Sequence, residues 1–315
     1  MAVRIAVLDD YQHAAAGAAD WGSLAGVEID FVHEHLLGDA LVERIAGAQV
    51  VVAMRERTPI TGALLARLPA LKMLVTTGMR NVSIDATAVR ERGVLFTGTG
   101  SQRPSTTELT WALILGLIRP VGGYDATIRS GGWQDSVGGD LAGRTLGLVG
   151  LGKQGAAVAK VGLAFGMDVV AWSQNLTADR AAEHSVRLVS RADLFAGSDI
   201  VSLHLVLSDR TRGLVGGADL RAMRPDAYLV NTARAGLIDQ AALRAAVEGG
   251  WLRGVALDVF DIEPLPADHW LRRSDRTLLS PHMGYVSVAS YAKYYGDAVE
   301  NIAAYLAGAP IREVP

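Results

Sequence analysis

Three side chains with complementary chemistry, Arg234, Glu263 and His282, follow predicted strands in the C-terminal half of the chain. Histidine exchanges protons near neutral pH, and a neighbouring carboxylate would favour its charged form and fix its tautomer. The planar guanidinium of arginine matches a carboxylate with two parallel hydrogen bonds and would draw electron density from an adjacent carbonyl. Each residue alone is more typical of a structural role. Together they could bind an acidic substrate and pass a proton to its carbonyl group, as the reduction of a carbonyl requires.

Upstream of these residues, the segment LGLVGLGKQG at 146–155 is an apolar strand that runs into a glycine-rich turn. Its first glycine allows a tight turn, its second lets the backbone approach a pyrophosphate, and its third lets the following helix pack on the strand. The free N–H groups at the start of that helix would then meet negative charge. The turn alone could match by chance, but the buried-type strand and the small-residue helix around it favour a dinucleotide site. The predicted contacts are Gly150, Gly152, Lys153, Gln154 and Gly155.

Polar residues end each later strand, predicted at 168–172, 199–203, 227–230, 254–257 and 277–279. If the strands are parallel, these residues lie at the same sheet edge as the glycine turn. Ser173 stands where a Rossmann unit usually carries the acid that grips the adenosine ribose, and Asp168 lies about 15 Å away at the other end of its strand. The choice between NAD and NADP is therefore open. The further residues expected at the cofactor are Ser173, Gln174, His204, Thr232, Ala233 and Asp258.

Length and composition indicate a globular protein with two domains that binds a small molecule. The chain has 315 residues, half of them hydrophobic, with a net charge of −3 and no cysteine. The charges are interspersed, so the basic patch of a nucleic-acid-binding protein is missing. Without cysteine there is no disulfide, thiolate metal site or cysteine nucleophile. The start of the sequence does not resemble a signal peptide, and the longest apolar run is about half of the ~20 residues that cross a membrane. We expect a cytoplasmic protein.

The N-terminal third alternates short β-branched runs with helical patterns around 12–24, 39–46, 61–67 and 84–91, which predicts βαβ units and a parallel sheet. Residues 119–144 are rich in glycine and are expected to connect the preceding helix to the glycine turn. Ligands of such sheets bind beyond the carboxyl ends of the strands. The loops MRERT at 54–58 and TTGMRN at 76–81 lie there, and both carry arginine. Two arginine-bearing loops at one edge suggest an anion pocket, and the residues expected to contact substrate are Arg55, Thr77, Gly78, Met79 and Arg80. An amphipathic helix at 287–306 is expected to return to this first domain.

Four ordered segments, GRTLGLVGLGKQG, VNTARAGLIDQAAL, ALDVFDIEPLP and LLSPHMGY, resemble the signatures of the D-isomer-specific 2-hydroxyacid dehydrogenase family. The resemblance implies a Rossmann dinucleotide-binding domain at 99–286, inserted into a flavodoxin-like substrate domain at 1–98 and 287–315, and usually a homodimer. It makes Arg234 the substrate-binding arginine, Glu263 the orienting acid and His282 the general acid and base. Thr232 and Asp258 would face the nicotinamide, and the loop at 77–79 would offer backbone N–H groups to the substrate carboxylate.

Some positions depart from this family pattern. Val206 replaces a common proline, Ala235 a common glycine and Ser173 a common acid, and the loop at 76–81 is bulkier than usual. In the loops at 54–58 and 76–81, Arg57 or Arg80 could recognise a second negative group on the substrate.

We therefore expect an oxidoreductase that uses NAD or NADP to interconvert a 2-oxo acid and a D-2-hydroxy acid. The alternative is a nucleotide-sensing regulator of the same fold, similar to transcriptional corepressors. A formate dehydrogenase would carry glutamine at Glu263, while phosphite oxidation stays open. No metal is expected, because His33 and His35 lack a third ligand at useful spacing.

Overall fold

The computed structural model describes residues 2–101 and 104–315. By their contacts these residues form two compact units, one from the residues up to 101 together with 286–315, the other from residues 104–285. The unit boundaries differ from the predicted domain boundaries by only a few residues.

The first unit is built on a five-stranded parallel sheet with the order β2-β1-β3-β4-β5, the order of flavodoxin-like folds. Its strands are β1 (Val3–Val7), β2 (Val27–Phe31), β3 (Val50–Ala53), β4 (Met73–Thr76) and β5 (Leu95–Gly98). Its helices are α1 (Ala15–Ala18), α2 (Gly38–Ile45), α3 (Gly62–Ala66), α4 (Ala86–Glu91) and the C-terminal helix, α12 in chain order (Val288–Leu306). Every residue of β3 and β4 is buried, as expected for central parallel strands covered on both faces.

The second unit contains a seven-stranded parallel sheet with the order β12-β11-β10-β9-β6-β7-β8. Its strands are β6 (Thr145–Val149), β7 (Asp168–Trp172), β8 (Arg187–Leu188), β9 (Ile200–Leu203), β10 (Tyr228–Asn231), β11 (Gly254–Leu257) and β12 (Thr277–Leu279). Its helices are α5 (Pro104–Ile118), α6 (Val121–Arg129), α7 (Lys153–Ala164), α8 (Ala178–Ala182), α9 (Arg191–Gly197), α10 (Gly217–Ala222) and α11 (Gln240–Glu248). From β6 the chain adds β7 and β8 on one side of the sheet and then β9 to β12 on the other, so the strand order reverses between β6 and β9. Doubly wound sheets bind their ligands at such switch points. The predicted fold class is confirmed.

Both faces of this second sheet are buried. Successive residues of β10 belong to different apolar clusters: Leu229 packs with Leu203 and Leu257, whereas Val230 packs with Leu148. Because side chains alternate along a strand, helices must cover each face. The strand ends are left to present polar groups.

Two segments differ from their predicted structure. Residues 119–144 were expected to be a glycine-rich connection, yet they include helix α6, in which Gly122 and Gly123 conceal the helical pattern. The helix expected around 12–24 is reduced to the four residues of α1 and a 3₁₀ turn at Trp21–Ser23.

Candidate active site

The strand register of the second unit brings the predicted site segments to one edge of its sheet. Val149 and Asn231 are both paired with Leu203, and Leu257 is paired with Asn231 and Leu279. The glycine turn and the segments after β9, β10, β11 and β12 therefore leave the sheet at the same level. This is the parallel arrangement on which the sequence prediction depended.

At this edge His282 and Glu263 form a direct pair. The imidazole Nδ1 lies 2.6 Å from the Glu263 Oε2, and the other carboxylate oxygen accepts a hydrogen bond from the Phe260 amide at 2.9 Å. Since a carboxylate only accepts hydrogen bonds, Nδ1 carries a proton. This arrangement leaves Nε2 to exchange a proton with a bound substrate. The Tyr285 ring meets the imidazole edge-on, with 5.3 Å between the ring centroids.

The loop that carries His282 is held by Asp258. The Asp258 Oδ1 accepts hydrogen bonds from the Ser280 hydroxyl at 2.6 Å and the Met283 amide at 2.7 Å, and Oδ2 accepts one from the Gly284 amide at 2.9 Å. Its side chain is fully buried, and burial raises the pKa of its carboxyl, although these hydrogen bonds oppose that shift. Asp258 was predicted to face the nicotinamide. The structure shows a role that sequence reasoning missed, since both oxygens shape the His282 loop.

Arg234 lies on a segment shaped by Asn231, the last residue of β10. The fully buried Asn231 side chain donates to the Arg234 carbonyl at 2.9 Å and accepts from the Ala233 amide at 3.0 Å. The guanidinium of Arg234 also donates to the Ala233 carbonyl at 2.7 Å. Ala233 therefore contributes its backbone to this segment, and its predicted contact with cofactor stays a prediction. Asn231 was not among the predicted site residues, although its polar type at a buried strand end could have indicated it.

The glycine turn has the shape that a pyrophosphate requires. Gly150 has a φ of +105°, and a Cβ there would lie 2.9 Å from the His204 carbonyl oxygen. A Cβ at Gly155 would lie 2.1 Å from the Gly150 carbonyl oxygen, so only glycine allows α7 to pack this closely. At Gly152, by contrast, a Cβ would meet no atom of the described residues within 4 Å. The turn is thus crowded at its first and third glycines and open at its second.

The start of α7 adds donors to this open side. Gly152 is its N-cap, and within 104–315 no side chain caps the helix. The amides of the first turn are therefore available to an anion. Lys153 is exposed at this helix start, where its charge could also face a phosphate. Gln154 instead turns to α5, where its Nε2 donates to the Thr107 hydroxyl at 2.9 Å.

A cavity of about 580 Å³ adjoins the end of β7, where the adenosine half of a dinucleotide is expected. Its lining residues, which all belong to the described part of the second unit, include no lysine or arginine. They are Trp172, Ser173, Gln174, Leu176, Leu188, Val189, Ser190 and Asp193. The apolar side chains suit a base, and the hydroxyl and amide groups suit a ribose. The residues present therefore fit a dinucleotide.

His204 follows β9 next to the glycine turn. Its Nε2 lies 2.9 Å from the Ser202 hydroxyl, and burial lowers its pKa to about 4. The imidazole is consequently neutral at pH 7. Thr232 lies at the same edge, where its hydroxyl is 2.8 Å from that of Thr110 on α5.

In the first unit, two of the loop amides that were predicted to bind substrate donate instead to other groups of the same unit. The Thr77 amide donates to the Ala53 carbonyl at 3.1 Å, and the Gly78 amide donates to the Thr99 hydroxyl at 2.7 Å. Thr77 also accepts the Arg55 amide at 2.8 Å on its hydroxyl and the Arg55 guanidinium at 3.2 Å on its carbonyl. Of the three amides expected to bind a substrate carboxylate, that of Met79 is left, with Arg80 exposed beside it.

Arg57 is engaged inside the first unit. It donates to the Asp9 carbonyl, lies 3.2 Å from the Tyr291 hydroxyl, and its guanidinium carbon lies 4.6 Å from the centroid of the Tyr11 ring. These contacts favour a structural role for this arginine over recognition of a second substrate charge.

The histidines near β2 pair separately with buried aspartates. His33 lies 3.4 Å from Asp10, and His35 lies 3.2 Å from Asp9. Residues 2–101 and 104–315 contain no group of three or more histidine, aspartate or glutamate side chains arranged to hold a metal ion. None of the described helices has the length and apolar character to cross a membrane.

Comparison with known proteins agrees with this geometry. The family model for the NAD-binding domain of D-isomer-specific 2-hydroxyacid dehydrogenases matches residues 111–284. A glyoxylate reductase from Aeropyrum pernix is 35% identical over 255 residues, which cover 78% of this chain and 76% of that protein. A D-3-phosphoglycerate dehydrogenase from Mycobacterium tuberculosis is 34% identical over 273 residues, 86% of this chain but 51% of that protein.

Among solved structures, the crystal structure of a phosphoglycerate oxidoreductase from Vibrio cholerae is similar, with a TM-score of 0.93 and 37% sequence identity. The match covers 98% of this chain and 100% of the other. As its sequence motifs predicted, the chain belongs to the D-isomer-specific 2-hydroxyacid dehydrogenase family of NAD(P)-dependent oxidoreductases.

Proposed function

We propose that this protein interconverts a 2-oxo acid and a D-2-hydroxy acid, with His282 as the acid and base. The observation that carries this proposal is the 2.6 Å pair between His282 and Glu263, at the sheet edge that also holds the glycine turn. A nicotinamide dinucleotide, when bound, supplies the hydride for reduction and accepts it in oxidation. The chain itself must supply the proton and hold the substrate.

The proton is handled by His282. Its Nδ1–H donates to Glu263, so in reduction Nε2 gives its proton to the carbonyl oxygen, and in oxidation it takes the proton back from the hydroxyl. Glu263 keeps the ring oriented and stabilises the imidazolium. Arg234 binds the substrate carboxylate with its planar fork and polarises the adjacent carbonyl.

The names of the relatives suggest two classes of substrate, small 2-oxo acids and phosphorylated ones. Recognition of a second negative group would need a cation beyond Arg234. Arg57 is held by the Asp9 carbonyl and the Tyr291 hydroxyl, and Arg80 is exposed, where water screens its charge. The Arg55 guanidinium donates to the Thr77 carbonyl and lies 3.6 Å from the Glu56 carboxylate, so its charge is already paired. We therefore favour a small unphosphorylated 2-oxo acid. The expected contacts of Arg55 and of the loop at 77–80 with the substrate stay predictions.

The dinucleotide is proposed to be NAD rather than NADP. The cavity at the end of β7 contains no cation among its lining residues, all of them described, whereas the Asp193 carboxylate does line it. A 2′-phosphate would gain no charged partner among these residues and would face an acid. The nearby Arg191, whose guanidinium lies 5.6 Å from the Trp172 ring, is already paired with Asp219 at 2.7 Å.

The test is a reductase assay with glyoxylate and with 3-phosphohydroxypyruvate, each with NADH and with NADPH. We expect turnover of glyoxylate with NADH and a loss of about 10²- to 10⁴-fold in kcat in His282→Ala, with the affinity for NADH unchanged. Arg234→Lys should weaken substrate far more than NADH, because a point charge loses the two-bond geometry.

Two results would contradict the proposal. Near-normal turnover by His282→Ala would exclude this histidine as the acid and base. Tight NADH binding without turnover of any 2-oxo acid tested would instead favour a nucleotide-sensing regulator. A cytoplasmic location stays a prediction.

We also propose a homodimer, formed through the segment that contains α6. None of the nine residues of this helix is buried, and several apolar side chains in and after it are exposed: Val121 by 66%, Ile128 by 52%, Trp133 by 72% and Val137 by 96%. A second copy of the chain would remove this apolar surface from water.

A further inference from the structure

The N-terminal half of α5 carries three threonines, and each is hydrogen-bonded to a different segment of the active site. The Thr106 hydroxyl donates to the Gly284 carbonyl at 2.7 Å, two residues beyond His282. Thr107 accepts from Gln154 at the glycine turn at 2.9 Å, and Thr110 lies 2.8 Å from the Thr232 hydroxyl. One helix therefore contacts the proton donor's loop, the dinucleotide turn and the segment before Arg234.

The bond from Thr106 completes the attachment of the His282 loop. Asp258 holds the Gly284 amide and Thr106 holds the Gly284 carbonyl, so this residue is bound on both sides. The packing is close, because a Cβ at Gly284 would lie 3.2 Å from the Thr106 methyl group and 3.0 Å from the Asp258 Oδ2.

Such attachment matters because His282 has a φ of +55°, in the left-handed region that few non-glycine residues adopt. A backbone of this kind persists only where its surroundings impose it. If the carbonyl of Gly284 were released, the loop could relax, and the imidazole would lose its alignment with Glu263.

The direction of the Thr110 bond follows from proton counting. The Thr110 hydroxyl already donates to the Thr106 carbonyl at 2.7 Å, and a hydroxyl has one proton. Thr232 must therefore donate to Thr110, and toward any ligand it can only accept. Thr106 and Thr110 act on different segments, so their effects can be separated.

We propose that Thr106 is a positioning residue for His282 and acts through the Gly284 carbonyl. This inference rests on the proposed role of His282. It assigns a positioning role to helix α5, which takes no part in the transfer of the proton or the hydride.

The experiment compares Thr106→Val, Thr106→Ser and a matched control, Thr277→Val. Thr277 also donates its hydroxyl to backbone carbonyls, those of Leu271 at 2.9 Å and Ser274 at 3.0 Å, but from the opposite end of β12. With glyoxylate and NADH, we expect Thr106→Val to lower kcat by about 5- to 10-fold, as the loss of one positioning hydrogen bond implies. KM for glyoxylate and Kd for NADH should stay within about 2-fold of wild type, Thr106→Ser should retain activity, and Thr277→Val should be unaffected.

Two measurements that need no turnover separate this inference from the proposed function. In Thr106→Val, the Gly284 amide should exchange faster with deuterium, and the proton resonance of the His282 Nδ1–H should broaden or shift. If both signals match wild type, or if Thr277→Val lowers kcat equally, Thr106 has no positioning role, whatever His282 does. If instead both signals change while His282→Ala remains fully active, Thr106 still holds the loop but the proposed function fails, and the catalytic part of the inference fails with it.

Discussion

The second and third glycines of the dinucleotide turn should respond in opposite ways to the same added methyl group. At Gly155 a Cβ would lie 2.1 Å from the Gly150 carbonyl oxygen, and it would have to move by about 1 Å before the contact became tolerable. Both atoms belong to packed backbone, so we expect Gly155→Ala to lower the free energy of unfolding by about 1–3 kcal/mol. At Gly152 a Cβ would meet no described atom within 4 Å, and φ is −82°, which alanine adopts readily. Gly152→Ala should therefore change the free energy of unfolding by less than about 1 kcal/mol.

For NADH binding, in contrast, Gly152→Ala should have a large direct effect. Gly152 is where the backbone is open to a pyrophosphate, so its added methyl group would separate the ligand from the α7 amides. Loss of about one charge-assisted hydrogen bond, roughly 1.5–3 kcal/mol, corresponds to NADH affinity weaker by about 10- to 100-fold. Gly152→Ala should thus be stable but deficient in binding.

The assay pairs urea denaturation of each variant with titration of NADH, which is followed by the quenching of the tryptophan fluorescence of the chain. Wild-type NADH affinity in Gly152→Ala would show that no pyrophosphate lies against this turn. Wild-type stability in Gly155→Ala would show that the close approach of α7 to Gly150 is wrong.

Four further predictions concern side chains of the second unit. Burial raises the pKa of Asp258, so this carboxyl keeps its proton to a higher pH in the folded state than in the unfolded state. The contribution of Asp258 to stability should therefore fall as the pH rises above the ordinary pKa of 3.8. Asp258→Asn should remove this dependence of the free energy of unfolding on pH, measured by urea denaturation. Burial lowers the pKa of His204 to about 4, so stability should rise with pH between about 4 and 6.5, and His204→Gln should flatten this rise. Asp193→Lys should raise affinity for NADPH relative to NADH, measured by fluorescence titration, whereas an unchanged ratio would place the 2′-phosphate elsewhere. Trp133→Ser with Val137→Ser should convert a dimer into monomers in light scattering, and a dimer that persists in the double variant would exclude this surface.

Much of the second unit could be predicted because its signals are local. Strands such as Gly254–Leu257 are short apolar runs, and their ends are marked by polar residues or glycine. The pairing of Glu263 with His282 followed from strand order, because parallel strands bring their carboxyl ends together.

Other features depended on residues that are distant in the chain. Thr106 and Gly284 are 178 positions apart, and no local pattern in either segment indicates their bond. The loop after β4 was read as a set of free amides, but Thr99 of the following strand's end takes one of them. Helix α6 was missed because Gly122 and Gly123 lower its helical propensity.

By itself, then, the sequence determined the family, the two parallel sheets, the glycine turn and the types of side chain at the edge of the second sheet where that turn lies. These follow from hydrophobic period, turn chemistry and motif spacing, all of which are properties of short stretches. Only the tertiary structure decided which donors and acceptors are used internally. It assigns the Asp258 carboxylate to the His282 loop, and it places Thr106 against Gly284. Hydrogen bonds between remote segments depend on how the segments pack. The sequence shows that a hydroxyl or carboxylate is present, but it does not show whether that group is hydrogen-bonded within the protein.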